Sequence, residues 1–249
     1  MPTIQALLMS LWLSFWPQSL PLGGIPVSSG GGGPAIVGTP TCSVINPSGS
    51  TYTVPSFTAT SGAALYISIS SGANDTTGTD ISAMSSTAGG GASGDTFTQI
   101  NYQNQGFQTV YGYTVFNIHS GAYVITFTAS FGGGGGACVT QVTNVTSSVA
   151  NCKGTSASTT IACSSSMTPT ASPAVVLGGT GAYYHTETYS VGAPYTLGAS
   201  AASASNGNPG SNASLYYICT SACASPARTP TFTAGGAGYY DSIVGTIYQ

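Results

Sequence analysis

Charge is what this sequence has least of. Among 249 residues only Lys153 and Arg228 are cationic, against the five acids Asp75, Asp80, Asp95, Glu187 and Asp241. Charged residues make up 3%, where globular chains ordinarily carry about 25%. Two cations cannot neutralise a phosphate backbone, so nucleic acid is excluded as a partner. With so few titrating groups, stability is expected to respond weakly to pH and salt. Histidine is nearly absent, with only His119 and His185, and no cysteines are spaced C-x-x-C. No metal centre or other cofactor is therefore expected. There is no G-x-S-x-G, H-E-x-x-H or P-loop pattern, and the chain is read as non-enzymatic. No apolar run reaches the roughly 20 residues of a membrane span.

What remains is Gly, Ser and Thr, interleaved with 15 Tyr and 8 Phe. Repeated alternating runs of such aromatics argue for a folded chain with long loops rather than a disordered one. The clearest run lies within Phe107–Phe131. From Tyr123 onward, Tyr123, Ile125, Phe127, Ala129 and Phe131 fall on one face and Val124, Thr126, Thr128 and Ser130 on the other. That is the two-residue period of a half-buried strand. Phe107–Phe116 is β-branched and aromatic with less regular alternation. Asn117–Gly121 between them supplies turn formers, so a β-hairpin is expected, closed by Gly132–Gly136.

A weaker copy ends the chain. Ser214–Cys219 and Thr229–Ala234 match the two strands, Pro194–Gly198 matches Asp95–Ile100 before them, and Ile243–Tyr248 matches Ala137–Val142 after them. A separation of about a hundred residues between copies points to an internal duplication. The expected fold is all-β: an antiparallel β-sandwich, jelly-roll or Ig-like, built from two similar halves, with a short apolar N-terminal segment. The boundaries are 1–18 for an apolar anchor or leader and 19–41 for a Pro/Gly-rich linker. The first half is 42–148, a Ser/Thr-rich bridge is 149–166, and the second half is 167–249. Within 1–18, Ile4, Leu7, Leu8, Leu11, Trp12 and Phe15 recur at helical spacing until Pro17. The stretch has the length of a signal-peptide core without its usual flanks. It is either a cleaved leader or a retained anchor that packs on another chain.

The six cysteines, Cys42, Cys138, Cys152, Cys163, Cys219 and Cys223, are even in number and read as disulfides formed in an oxidising location. Cys219 and Cys223 sit at the proposed second turn, and Cys152 and Cys163 bracket a hairpin-like segment, which leaves Cys42 with Cys138. Spacing alone does not fix the pairing among the fifteen arrangements open to six cysteines.

Candidate sites are sparse. His185 and Glu187 are two apart, on one face of an expected strand, and read as a solvent-facing polar pair rather than an acid/base pair. Asn74, Asp75 and Asp80 read as a polar loop more readily than as a calcium site. Asn74, Asn144 and Asn212 each open an N-x-[ST] glycosylation pattern. Three Tyr-Tyr pairs direct one ring inward and one outward, and Tyr184, Tyr217 and Tyr240 are candidate contacts for a glycan or a neighbouring subunit.

The order Ser86-Thr-Ala-Gly89, then Gly94-Asp-Thr-Phe-Thr-Gln99, then Tyr111–Phe127 resembles Ser/Thr/Gly-rich β-sandwich proteins of phage virions and bacterial surfaces. Thr196–Tyr248 fits the same template more loosely. The resemblance spans about residues 50–249 and brings no catalytic residue with it. It implies a non-enzymatic, self-assembling structural protein of an exterior surface, such as a capsid decoration or fibre component. The alternative is a secreted, disulfide-bonded and glycosylated filament subunit or adhesin. Partners would be further copies of the chain, other virion or filament proteins, or surface glycans. The location would be the virion surface or the extracellular space.

Overall fold

The computed structural model describes residues 32–45, 50–130, 134–183, 186–203, 210–236 and 241–249. The apolar segment 1–18 and most of the proposed linker lie outside them. Every regular element among the described residues is a strand. The first half runs β1 (Ala35–Ile45), β2 (Thr51–Thr53), β3 (Phe57–Ala59), β4 (Ala64–Ser71), β5 (Ile81–Ala88), β6 (Gly91–Ala92), β7 (Thr98–Gln105), β8 (Gln108–Val115), β9 (Gly121–Ala129) and β10 (Gly135–Thr143). The second runs β11 (Ser148–Ser156), β12 (Thr160–Ala162), β13 (Ala174–Tyr183), β14 (Tyr189–Ser190), β15 (Thr196–Ser203), β16 (Gly210–Cys219), β17 (Thr231–Ala234) and β18 (Asp241–Tyr248).

The duplication is written in the strand order. One sheet of the first half is β1-β10-β4-β8-β7, and its counterpart in the second is β11-β18-β13-β16-β15. Counted within each half, both begin with the first strand, set the last beside it, and end with a hairpin pair. The remaining sheets also correspond, β2/β3-β9-β5 with β12-β17-β14. First strand beside last, with the intervening strands divided between two antiparallel sheets, is the jelly-roll arrangement. The described residues form two jelly rolls in tandem.

The β1-β10-β4-β8-β7 and β11-β18-β13-β16-β15 sheets face each other and the other two sheets lie outside them, so the inner strands are covered on both faces. On β4, Leu65, Ile67 and Ile69 enter the first core with Tyr111, Ile125 and Phe127. Ala64 and Tyr66 enter a separate cluster between the halves with Val175, Leu177 and Tyr248. A second core holds Val176, Leu215, Phe232 and Ile243. Two tyrosines cross the interface reciprocally. Tyr66 donates to the carbonyl of Val244 at 2.9 Å, and Tyr248 donates to the carbonyl of Leu65 at 2.7 Å. Small residues let the sheets approach. A Cβ on Gly179 would lie 2.1 Å from the Ser68 side chain, and one on Gly181 would lie 2.3 Å from that of Ser70.

This layering corrects several expectations. Both strands of the Phe107–Phe131 stretch are present, but β8 lies in the inner sheet and β9 in the outer one, so they form a crossover and not a hairpin. β8 is buried along its whole length, while β9 alternates. β16 and β17 likewise lie in different sheets. The hairpin is β7–β8, turned at Gly106 and Phe107, where Gly106 has φ +62°. Residues 35–41, assigned to the linker, form most of β1, and the proposed bridge contains most of β11 and all of β12. Gly135 and Gly136 begin β10 rather than ending β9, because a Cβ on Gly135 would lie 2.0 Å from the carbonyl oxygen of Ser70.

Candidate functional site

All six cysteines are paired, as Cys42–Cys138, Cys152–Cys163 and Cys219–Cys223. Cys42 and Cys138 face each other directly on β1 and β10. Cys152 is on the inner strand β11, and Cys163 directly follows the outer strand β12. That bridge therefore ties inner sheet to outer sheet instead of closing a hairpin. The largest loop spans 96 residues, for which chain entropy gives about 4–5 kcal/mol. Three structural disulfides fit an oxidising, extracellular environment.

The acids are not a solvated set. Asp75 is 4% exposed. Its Oδ1 accepts from the amides of Thr77 (2.9 Å) and Gly78 (2.7 Å) and from the Thr77 hydroxyl (2.8 Å). Its Oδ2 accepts from the Asp80 amide (2.9 Å) and the Tyr111 hydroxyl (2.8 Å). Burial pushes this carboxyl up. Hydrogen bonds from Asp80, Thr77 and Tyr111 outweigh burial and hold it at about 2. Five donors directed at one carboxylate leave no face for a cation, so the loop at Asn74–Asp80 is structural. Desolvation raises Asp80, with help from the charge of Asp75.

Asp95 is the second organised acid. Its Oδ1 lies 2.7 Å from Nδ1 of His119, and its Oδ2 accepts from Tyr123. Burial raises it, but hydrogen bonds from Tyr123, His119 and Ser93 leave it below its ordinary value. The His119 ring is 62% exposed while the Asp95 side chain is 3% exposed. A carboxylate-oriented imidazole is half of a nucleophilic triad. Among the described residues no hydroxyl or thiol hydrogen-bonds the second ring nitrogen. The nearby network closes on Tyr123, whose hydroxyl donates to Ser86 Oγ at 2.9 Å. The arrangement is a structural network.

The other candidates separate. Tyr184, Tyr240 and His185 lie outside the described residues. Glu187 is 6% exposed, in a connecting segment rather than a strand, which corrects its reading as a solvent-facing group. Tyr217 does not project freely either. It is half-buried, 6.2 Å edge-to-face from Tyr195, with the Arg228 guanidinium 4.8 Å above its ring. Asn74 and Asn144 are exposed. Asn212 is buried between the halves, where its amide nitrogen donates to the Ala201 carbonyl (3.2 Å) and its oxygen accepts from the Ala137 amide (2.9 Å). A glycan has no room there.

Sequence reasoning missed a groove of about 620 Å³ where β7 and β11 run side by side, lined by Gln99, Asn101, Tyr102, Asn151, Lys153 and Ser164. Lys153 Nζ lies 5.2 Å from the centre of the Tyr102 ring. Asn101 donates across it to the carbonyls of Cys152 (2.7 Å) and Gly245 (3.2 Å). Amides, hydroxyls and one aromatic edge suit a neutral polar ligand. No carboxylate lines the groove. Comparison with protein-family models, curated proteins and solved structures found no match.

Proposed function

We propose that this chain is a non-enzymatic structural protein of an exterior surface, a virion decoration or fibre component that self-assembles. The observation that carries the proposal is the tandem jelly roll in which every cysteine is bridged. Its acids support the reading, since Asp75 and Asp95 are engaged in holding loops in place and not in presenting reactive groups. Scarce charge also suits a surface exposed to an uncontrolled medium, because salt has little to screen. The N-terminal segment 1–18 supplies the contact with a neighbouring chain, joined through a linker that can reach it. Full-length protein should form particles or filaments in negative-stain electron micrographs, and protein lacking residues 1–18 should remain a folded, soluble monomer. Native assembly by the truncated chain would overturn the anchor role. A purely monomeric full-length chain would overturn the self-assembling reading.

The exposed Asn74 and Asn144 favour one alternative, a secreted and glycosylated filament subunit or adhesin. Intact-mass analysis of protein from its natural source distinguishes it by glycan mass and by loss of the apolar segment.

A further inference from the structure

We propose that the second jelly roll binds a hard divalent cation, calcium by its chemistry, between the carboxylates of Asp241 and Glu187. This site goes beyond the exterior structural reading and does not depend on it. Asp241 opens β18 with 0% exposure, and neither of its carboxylate oxygens has a hydrogen-bond partner. Its surroundings follow from register. Asp241 stands opposite Ala182 on β13, and Ala182 stands opposite Ser211 on β16. Cross-strand neighbours share a face, so Asp241 and Ser211 flank the small Ala182 at strand spacings of about 4.8 Å each. Ser211 Oγ accepts from the Glu187 amide at 3.1 Å and lies 3.1 Å from the Tyr189 hydroxyl. Glu187 and Tyr189 are thereby held over this row, at 6% exposure each. Oε2 of Glu187 accepts from the Gly236 amide at 3.1 Å.

Two carboxylates and two hydroxyls form an oxygen-only donor set. Such sets select hard cations, and the irregular number and placement of donors favour calcium over magnesium, which demands near-octahedral geometry. Neither Lys153 nor Arg228 compensates the pair, since Lys153 lies over Tyr102 and Arg228 over Tyr217. The first half lacks such a site. Gly135, opposite Ser71 at the end of β4, stands where Asp241 stands, and the loop acid Asp75 is satisfied by its own donors.

The test uses the full chain after chelation, melted at neutral pH with added Ca²⁺ or Mg²⁺. Calcium at about a hundredfold excess over its Kd should raise Tm by about 5–10 °C, and magnesium should raise it less. Asp241→Asn and Glu187→Gln, both near-isosteric, should fold and lose the shift, while Asp80→Asn should keep it. Titration calorimetry should show one site per wild-type chain. No calcium-dependent shift, or an equal shift in Asp241→Asn, would overturn the proposal. An equal response to magnesium would overturn the assignment to calcium.

Discussion

Contrary to the weak pH response expected from scarce charge, thermal stability in the absence of divalent cations should peak near pH 4 and fall on both sides, because buried acids titrate far from their ordinary values, with one responsible for each limb. Asp75 is held at about 2 against an ordinary 3.8. A depressed pKa contributes stability that is complete above 3.8 and lost as pH falls through 2. At 1.36 kcal/mol per pKa unit, that is about 2–2.5 kcal/mol. Asp95, also depressed, adds to the same limb. Asp241 acts in the opposite sense. Its folded value of about 7 lies above 3.8, so the folded chain binds the extra proton between them and loses stability as pH rises across that window. The cost is on the order of 4 kcal/mol at neutral pH. At about 2–4 °C per kcal/mol for a chain of this size, both limbs are measurable by circular dichroism melts in chelated buffers. Asp75→Asn should flatten the acid limb and lower Tm at neutral pH, because Asn offers the Asp80 amide a donor in place of an acceptor. Asp241→Asn should flatten the neutral limb and raise Tm there. A flat profile, or a maximum at neutrality without divalent cations, would refute the assignment of both acids.

Two further outcomes are expected. Gly179→Ala places a Cβ 2.1 Å from both Cβ and Oγ of Ser68, and since Cβ cannot rotate away the sheets must separate. A loss of about 1–3 kcal/mol in urea unfolding is expected, and unchanged stability would mean the inner sheets are not in contact there. Thiol labelling of denatured, unreduced protein should find no free cysteine, and labelling of all six would remove the case for an exterior location.

The outer strand β9 was legible because one of its faces meets solvent and its alternation is therefore polar against apolar. The inner strands were harder to read. Ser68 and Ser70 on β4 look like a solvent face in sequence, yet both are 2% exposed against the other half. Alternation separated large from small residues there, not inside from outside. That is also why β8 and β9 read as a hairpin, since nothing in a local period says which of two stacked sheets a strand joins. The duplication was legible from the matched order of segments, and the short cysteine separations were legible for the same local reason. The buried acids were not. The cage around Asp75 is built largely from backbone amides, which carry no sequence signature. Asp241 and Glu187 are 54 positions apart in the numbering and are neighbours only through the β13–β18 and β13–β16 registers.

The two jelly rolls are fused more tightly than sandwich sheets usually pack. Sheets stacked face to face ordinarily stand about 10 Å apart, separated by interdigitated large side chains. Here Gly179 and Gly181 sit directly against Ser68 and Ser70. Asn212 reaches the Ala137 amide, and Tyr66 and Tyr248 each end on the other half's backbone. Small residues contribute little hydrophobic area, so affinity at this face comes from close contact and satisfied polar groups, with the cluster around Val175, Leu177 and Tyr248 supplying the apolar part. Separated halves would present a face of glycine, serine and unpaired carbonyl acceptors that water solvates well but that retains exposed Val and Tyr. The unbroken chain from β10 to β11 removes that alternative by keeping the faces at high effective concentration. A duplicated jelly roll with this interface is therefore one mechanical unit.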